Sequence, residues 1–176
     1  MTSQAHALTS ITPERVTSLD EAAFSAFYER TARGLWSYVY RVTGHGADAD
    51  DIVQEAYCRL LRISMPDEEE TRRRYLYRVA SNLVVDRWRR SGREVTDAAE
   101  KLDAALAPAV AFDPDVARLF STLAPRDRAL LWLAYVEGES HEEIAASLGV
   151  GRHSVKVLLF RAKRRLRELL TREGVR

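Results

Sequence analysis

The stretch SHEEIAASLGVGRHSVKVLLFRAKRRL, Ser140 to Leu166, decides the fold. Ser140 is a good helix N-cap, and Ile144, Ala145 and Leu148 follow at helical spacing. Gly149-Val150-Gly151 breaks the pattern, and a longer helix begins near Arg152. A short helix, a tight turn and a long helix make the layout of a helix-turn-helix. Ala145 is small where the two helices must cross closely, and Gly149 can take the left-handed backbone such a turn needs. Val150, Val155 and Leu159 can fill the space between the helices. The other face offers Arg152, His153, Lys156, Phe160, Arg161, Lys163 and Arg164. Two readings fit that face. One is a helix that sets its first side chains against base edges in a major groove and its later cations on phosphates. The other is a solvated basic helix closing a bundle. The turn and the small crossing residue favour the first. The apolar run Val157-Leu158-Leu159-Phe160 exceeds what one helix face needs for its core and points to a further surface.

Upstream the pattern stays helical. Pro114 and Pro125 suit first-turn positions, and Leu130, Leu131, Leu133, Ala134 and Val136 mark a helix closed by Gly138. Near the start, Ser18 and Glu21 have capping-box spacing. Phe24, Phe27, Tyr28, Leu35, Trp36, Val39 and Tyr40 recur behind them, until Gly44 and Gly46. A second helix from about Ala47 carries Ile52, Ala56 and Leu60, widened by Val53, Tyr57 and Leu61. Pro66 ends it, an acidic loop spans Asp67 to Glu70, and a third helix carries Leu76, Val79, Ala80, Leu83, Val84 and Trp88. The expectation is an all-α chain of two small helical domains joined by an acidic tether, the second domain containing the helix-turn-helix. The boundaries read as a flexible tail over 1–17, a first domain over 18–92, a linker over 93–112 and a second domain over 113–176.

The 176 residues carry a net charge of only +1, but the charges are sorted into blocks. Thr43–Glu70 is acidic, Arg72–Arg93 basic, Glu94–Asp115 acidic and Arg152–Arg176 basic, which suggests separate surfaces for separate partners. The lone Cys58 cannot form an internal disulfide, fits a reducing cytoplasm, and reads as a core thiol beside Tyr57. No apolar run reaches the roughly 18 residues a membrane span needs, and the N-terminus lacks the pattern of a secretory signal. Catalysis finds no support. His141-Glu142-Glu143-Ile144-Ala145 begins like a zinc-protease motif but has alanine where the second histidine belongs. Asp48, Asp50 and Asp51 lack the glycine and closing glutamate of a calcium loop. No catalytic residue, metal or cofactor is expected.

Two further surfaces stand out. Asp48, Asp51 and Glu55, with Gln54 beside them, form an acidic helix face suited to partner arginines, or simply a solvated helix start. The third helix mixes arginines with aromatics and one amide, Asn82. Single strands are held by cations along the backbone and flat groups under the bases, roles that Arg87, Arg89, Arg90 and Tyr75, Tyr77 or Trp88 can fill, with one or two of the aromatics needed in the core. Asn82 can read a base edge or be an ordinary surface amide. The tether's acidity suits a basic channel or a merely soluble linker.

Several strings resemble a known family. LAPRDRALL at Leu123–Leu131, EGES at Glu137–Ser140, EEIA at Glu142–Ala145, Ser154-Val155-Lys156 and RAKRRL at Arg161–Leu166 resemble domain four of extracytoplasmic-function (ECF) sigma factors. DDIVQEAY at Asp50–Tyr57 is similar to the family's polymerase-binding segment. YLYRVASNL at Tyr75–Leu83, with Asp86, Arg89 and Arg90, is similar to its promoter-melting helix. The resemblance runs from about Leu19 to Leu170, in the family's order and spacing. It implies a non-enzymatic initiation factor that binds the β and β′ subunits of core RNA polymerase and promoter DNA, with an anti-sigma factor as a further candidate partner. It implies core binding by Asp48, Asp51, Gln54 and Glu55, through the clamp coiled coil of β′. It implies −10 contacts by Tyr75, Arg78, Asn82, Arg87, Arg89 and Arg90, and −35 contacts by Arg152, His153, Ser154, Lys156, Val157, Phe160, Arg161 and Arg164.

The match has departures. Val157 and Leu158 stand where the family often has a small polar residue and an arginine, and Gly151, Arg152 and His153 stand where Ser, Glu and Gly are frequent. These positions bear on promoter choice, so the target sequence cannot be transferred from relatives. The alternative function is a free-standing helix-turn-helix regulator with an N-terminal dimerisation or sensor domain, and a third is a protein that only docks on polymerase. A dimeric regulator binds duplex half-sites by itself, about one helical turn apart.

Overall fold

A computed structural model describes residues 16–17, 20–66, 68–91 and 112–174. Within them the chain forms α1 (Glu21–Thr43), α2 (Gly46–Leu61), α3 (Glu69–Ser91), α4 (Pro114–Ser121), α5 (Pro125–Tyr135), α6 (His141–Leu148) and α7 (Arg152–Arg172). The all-α expectation holds. The exception is a two-residue antiparallel pairing of β1 (Val16–Thr17) with β2 (Met65–Pro66). It ties down the end of the segment expected to be a tail; residues 1–15, and residues 93–111 of the linker expected over 93–112, lie outside the described residues.

Local chemistry explains the helix ends. Asp20 caps α1: its carboxylate accepts the Ala23 N–H at 2.7 Å, while Ser18, expected to open this helix, lies outside the described residues. Gly44 closes α1 in the left-handed conformation, φ 83°, with its N–H on the Tyr40 carbonyl. Glu69 and Glu70, expected in a loop, form the first turn of α3, where carboxylates face the positive end of the helix. Pro114 and Pro125 stand at the starts of α4 and α5 as expected.

The first three helices bury Phe27, Leu35, Tyr38, Val39, Ile52, Ala56, Leu76 and Val84. Two hydroxyl pairs satisfy the polar atoms inside, Tyr38 with Ser81 at 2.7 Å and Thr31 with Tyr57 at 2.6 Å. Cys58 is half-buried rather than a full core residue, because Ile52, Ala56 and Leu60 already fill the face of α2 that packs inward. In the second half, Leu130, Leu133, Ile144, Leu148, Val155 and Leu159 are buried. Phe120, Leu123, Leu131 and Ala162 form a smaller cluster behind α4 and α7.

The two halves share one continuous core. Trp132 of α5 is 1% exposed and its ring lies 6.1 Å from that of Tyr38 in α1. Such an aromatic pair adds about 0.5–1.5 kcal/mol beyond its burial. Phe112, expected at the end of the linker, packs against Trp132 and Phe120, with Arg41 over its ring. Domains expected on a tether thus lie face to face, α5 on α1 and α6 along α3.

Candidate nucleic-acid and partner interfaces

The helix-turn-helix is built as its residues dictate. Ser140 and Glu143 form a reciprocal capping box at the start of α6. Gly149 ends α6 at φ 61° and turns the chain toward α7. Val155, Leu159 and Ala162 anchor α7, and Arg165 reaches back to the buried Asp127 of α5 at 2.5 Å. That rotation leaves Arg152, His153, Ser154, Lys156, Val157, Phe160, Arg161 and Arg164 all exposed. Phe160 is 65% exposed, a large apolar ring in water amid cations. Arg152 and Arg164 hold only loose pairs with Glu142 at 3.8 Å and Glu168 at 3.4 Å. Lys163 sits over the Tyr135 ring at 5.2 Å, at the edge of this face.

On α3, positions 75, 78, 82 and 89 are spaced three, seven and fourteen from the first, so they share one stripe. Asn82, Arg78 and Arg89 are exposed, and Tyr75 is half-buried with the Arg78 guanidinium 5.7 Å above its ring. Tyr77 points the other way. It is 5% exposed, so its ring serves the core and is closed to bases. Trp88 is half-buried against the same core. Arg87 departs from the expectation of a free phosphate-binding group. It lies about 120° around α3 from Tyr75, at about 100° per residue, and donates to Asp48 of α2 at 2.5 Å. Arg89 lies 3.8 Å from Asp86, and Arg90 donates to the Asp86 carbonyl at 3.3 Å.

The acidic face of α2 is correspondingly narrower than expected. Ala49, Ile52 and Val53 set the rotation of α2, which leaves Asp51 and Gln54 in solvent. Glu55 holds Arg59 one turn on at 2.7 Å. Asp48, neighbour to the buried Ala49, is turned inward to Arg87 and is not part of the free face. Asp50 accepts from the Trp36 indole at 2.8 Å.

Four residues that no local pattern singles out join the two halves. Arg73 of α3 pairs with Glu137 of the α5–α6 turn, and Arg74 with Glu143 of α6 at 2.8 Å. These pairs span 64 and 69 positions. Among the described residues no group of three or more potential ligands could hold a metal, and no helix is long and apolar enough to cross a membrane.

Residues 27–94, from the first buried aromatic of α1 past the end of α3, match the family described as Sigma-70 region 2. Residues 115–166 match Sigma-70, region 4. The chain is 30% identical over 170 residues to the ECF RNA polymerase sigma factor SigL of Mycobacterium tuberculosis, covering 89% of this chain and 93% of that protein. It belongs to the ECF sigma factors. It is also 32% identical over 148 residues to the RNA polymerase sigma-E factor of Streptomyces coelicolor, over 81% of this chain and 84% of that one. Against SigE of Mycolicibacterium smegmatis the identity is 30% over 169 residues, and the match spans 65% of that longer protein. A crystal structure of the sigma factor RpoE with the anti-sigma factor NepR from Bartonella quintana shares the fold, with a TM-score of 0.60, 22% identity and coverage of 84% of this chain and 96% of that one. Sigma factors give RNA polymerase its promoter recognition and are not enzymes. The region 2 match of this sigma factor contains the acidic face of α2 and the stripe on α3, and the region 4 match contains the helix-turn-helix.

Proposed function

We propose that this sigma factor works in the cytoplasm, docks on core RNA polymerase through α2, takes unpaired −10 bases on α3 and reads the −35 duplex with α7. Asp51, Gln54 and Glu55 offer carboxylates and an amide to arginines of the β′ clamp coiled coil. Asp48 positions Arg87 instead of meeting the polymerase. Tyr75 supplies a stacking surface, Asn82 a base-edge contact, and Arg78, Arg89 and Arg90 phosphate contacts. Strand opening needs this combination, because an extruded base must recover the stacking it loses. On α7, Lys156 and Phe160 meet base edges, with Arg152, His153, Ser154 and Val157 around them. Arg161 and Arg164 hold the backbone.

The observation that carries the reading is the presence, in one chain, of two exposed surfaces with different chemistry: the Tyr75–Arg78–Asn82 stripe on one domain and the α7 face on the other. Transcription reconstituted from the purified chain, core polymerase and a promoter library tests it. The expected result is initiation from a subset of promoters only when both proteins are present. Tight binding of the chain alone to duplex half-sites, with no dependence on polymerase, would establish the free-standing regulator instead. Core binding without promoter selection would leave only a docking protein.

A further inference from the structure

Buried hydroxyls in this protein follow a rule, and Ser147 breaks it. Thr31, Ser37, Thr43, Ser81 and Ser147 are the buried serines and threonines among the described residues. The first four each donate to the carbonyl four residues earlier in their own helix, at 2.7–2.9 Å. Ser147 stands in the last turn of α6, only 1% exposed, with the same kind of carbonyl within its helix. Its Oγ nevertheless has no hydrogen-bond partner among the described residues. A buried hydroxyl left unmet is costly, so a hydroxyl turned off the backbone needs an occupant beside it.

Ser147 lines a groove of about 350 Å³ between α3 and α6, with Tyr75 and Arg78 on one wall and Glu139, Glu142 and Ala146 on the other. That volume is at the small end for a low-molecular-weight ligand. A second unmet atom lies here, because Glu139 Oε2 is buried without a partner. The neighbouring carboxylates are provided for. Glu137 takes Arg73 and the Trp132 indole N–H, and Glu143 takes Arg74 and the backbone N–H of Ser140. Glu142 is exposed and only 3.8 Å from Arg152. The Arg78 guanidinium lies over the Tyr75 ring at 5.7 Å. The groove therefore keeps one buried carboxylate without a cation, next to a hydroxyl without a partner.

Those two acceptors define what fits. Among the described residues no group of three or more potential ligands could hold a metal, so a bare divalent ion finds too few donors here. A positive group with several N–H donors meets both atoms at once, through charge-assisted hydrogen bonds to Glu139 and a further one to Ser147. A guanidinium suits a buried site better than an ammonium, because it is more weakly hydrated. The Tyr75 ring and Ala146 offer a surface to a short apolar stem. We infer that this groove binds a small organic cation, an alkylguanidinium or primary alkylammonium, held by the Glu139 carboxylate and the Ser147 hydroxyl.

The electrostatics of Glu139 agree. Burial pushes its pKa up to about 7, with Glu143 and Glu137 adding to the rise and Arg73 and Arg74 opposing it. Tyr38 of α1, Tyr75 and Arg78 of α3 and Glu142 of α6 are the other ionisable groups around it. A bound cation would do for Glu139 what Arg74 does for Glu143. It binds the ionised carboxylate, so affinity is full above about pH 7 and falls as Glu139 takes up its proton below that.

Isothermal titration of the full chain with butylguanidinium tests the site, beside tetramethylammonium at equal ionic strength, which has the charge but no N–H donor. Butylguanidinium should bind saturably, one per chain, at pH 8 and at least about tenfold more weakly at pH 5.5. Tetramethylammonium should bind at least about fivefold more weakly than butylguanidinium at pH 8. Ser147→Ala and Glu139→Gln should each weaken butylguanidinium at least about fivefold at pH 8. Glu173→Gln, which removes a carboxylate outside the groove, should change nothing. If either variant loses helicity by circular dichroism, the pH comparison on the wild-type chain decides. No saturable binding up to about 10 mM, within reach of a ligand of this size, overturns the inference. So do equal binding of the two cations, equal affinity at the two pH values, or unchanged affinity in either helical variant. Neither polymerase nor DNA takes part, so failure here leaves the sigma-factor reading standing, and failure of transcription leaves this site untouched.

Discussion

Removing the charge of Glu139 should stabilise the protein, and only above a definite pH. Glu139 lies in the turn between α5 and α6, held there by its N–H on the Leu133 carbonyl at 2.9 Å. Its side chain is half-buried in the interdomain groove and one carboxylate oxygen has no partner. Burial pushes its pKa up from 4.5 to about 7, with Glu143 and then Glu137 adding to the rise. Arg73 and Arg74 oppose it. Tyr75, Arg78 and Glu142 are the other ionisable groups lining the groove. Because the folded-state pKa is raised, the folded chain binds more protons than the unfolded chain between about pH 4.5 and 7. The stability this carboxyl contributes is complete at low pH and is lost as pH rises through about 7.

A rise from 4.5 to about 7, at about 1.4 kcal/mol per pH unit, sets a ceiling of about 3 kcal/mol. Solvent still reaches this side chain and screens it, so about 1–2 kcal/mol is the working figure. Glu139→Gln stays neutral at every pH. Its melting temperature should exceed that of the wild type by about 2–8 °C at pH 8, at about 2–4 °C per kcal/mol for a chain of this size. Near pH 5 the gain should shrink to about a quarter of that at pH 8, because the wild-type carboxyl is then still mostly protonated in the folded chain. Thermal unfolding followed by circular dichroism at both pH values measures the difference between the differences, in which the remaining carboxylates cancel. An equal gain at pH 5 and pH 8, or a loss at pH 8, would show that the groove does not burden this carboxylate.

Three other outcomes are expected. Asp51→Lys with Glu55→Lys should weaken core polymerase binding at least about tenfold in a pull-down while helicity stays normal, because within α2 the change breaks the exposed Glu55–Arg59 pair, worth about 0.2–0.5 kcal/mol. Asn82→Ala should slow promoter opening more than closed-complex binding, scored by permanganate footprinting, and a pre-melted template should rescue it; opening at the wild-type rate refutes the base contact. Lys156→Ala or Phe160→Ala should re-rank a −35 promoter library, by about 1–3 kcal/mol for each base interaction removed, whereas Arg161→Ala should weaken all promoters alike and flatten the salt dependence by about one ion.

The helix-turn-helix was legible because its determinants are local. Ser140, Ala145, Gly149 and the apolar set of α7 lie within one stretch, and each imposes a backbone or packing requirement that its neighbours meet. On α3 the family resemblance named Tyr75, Arg78, Asn82 and Arg89 together with Arg87 and Arg90, and helical periodicity explains why positions 75, 78, 82 and 89 share one face. Which polar side chain pairs with which was not legible. Asp48 looks like part of the acidic face at helical spacing, but Ala49 is fully buried beside it, and that rotates the Asp48 carboxylate within reach of Arg87. The packing of the domains is the larger case. Its ion pairs join residues more than 60 positions apart and leave no periodic trace. One trace did exist in α5, where every residue from Asp127 to Leu133 is buried. A helix at the rim of a small domain needs one apolar stripe, whereas Leu130, Leu131, Trp132 and Leu133 in succession present apolar groups all round. Such a helix must be covered on several sides, and the second domain supplies too few helices to do it. Trp132 is the residue that exceeds the supply, and the surface that completes its burial belongs to α1.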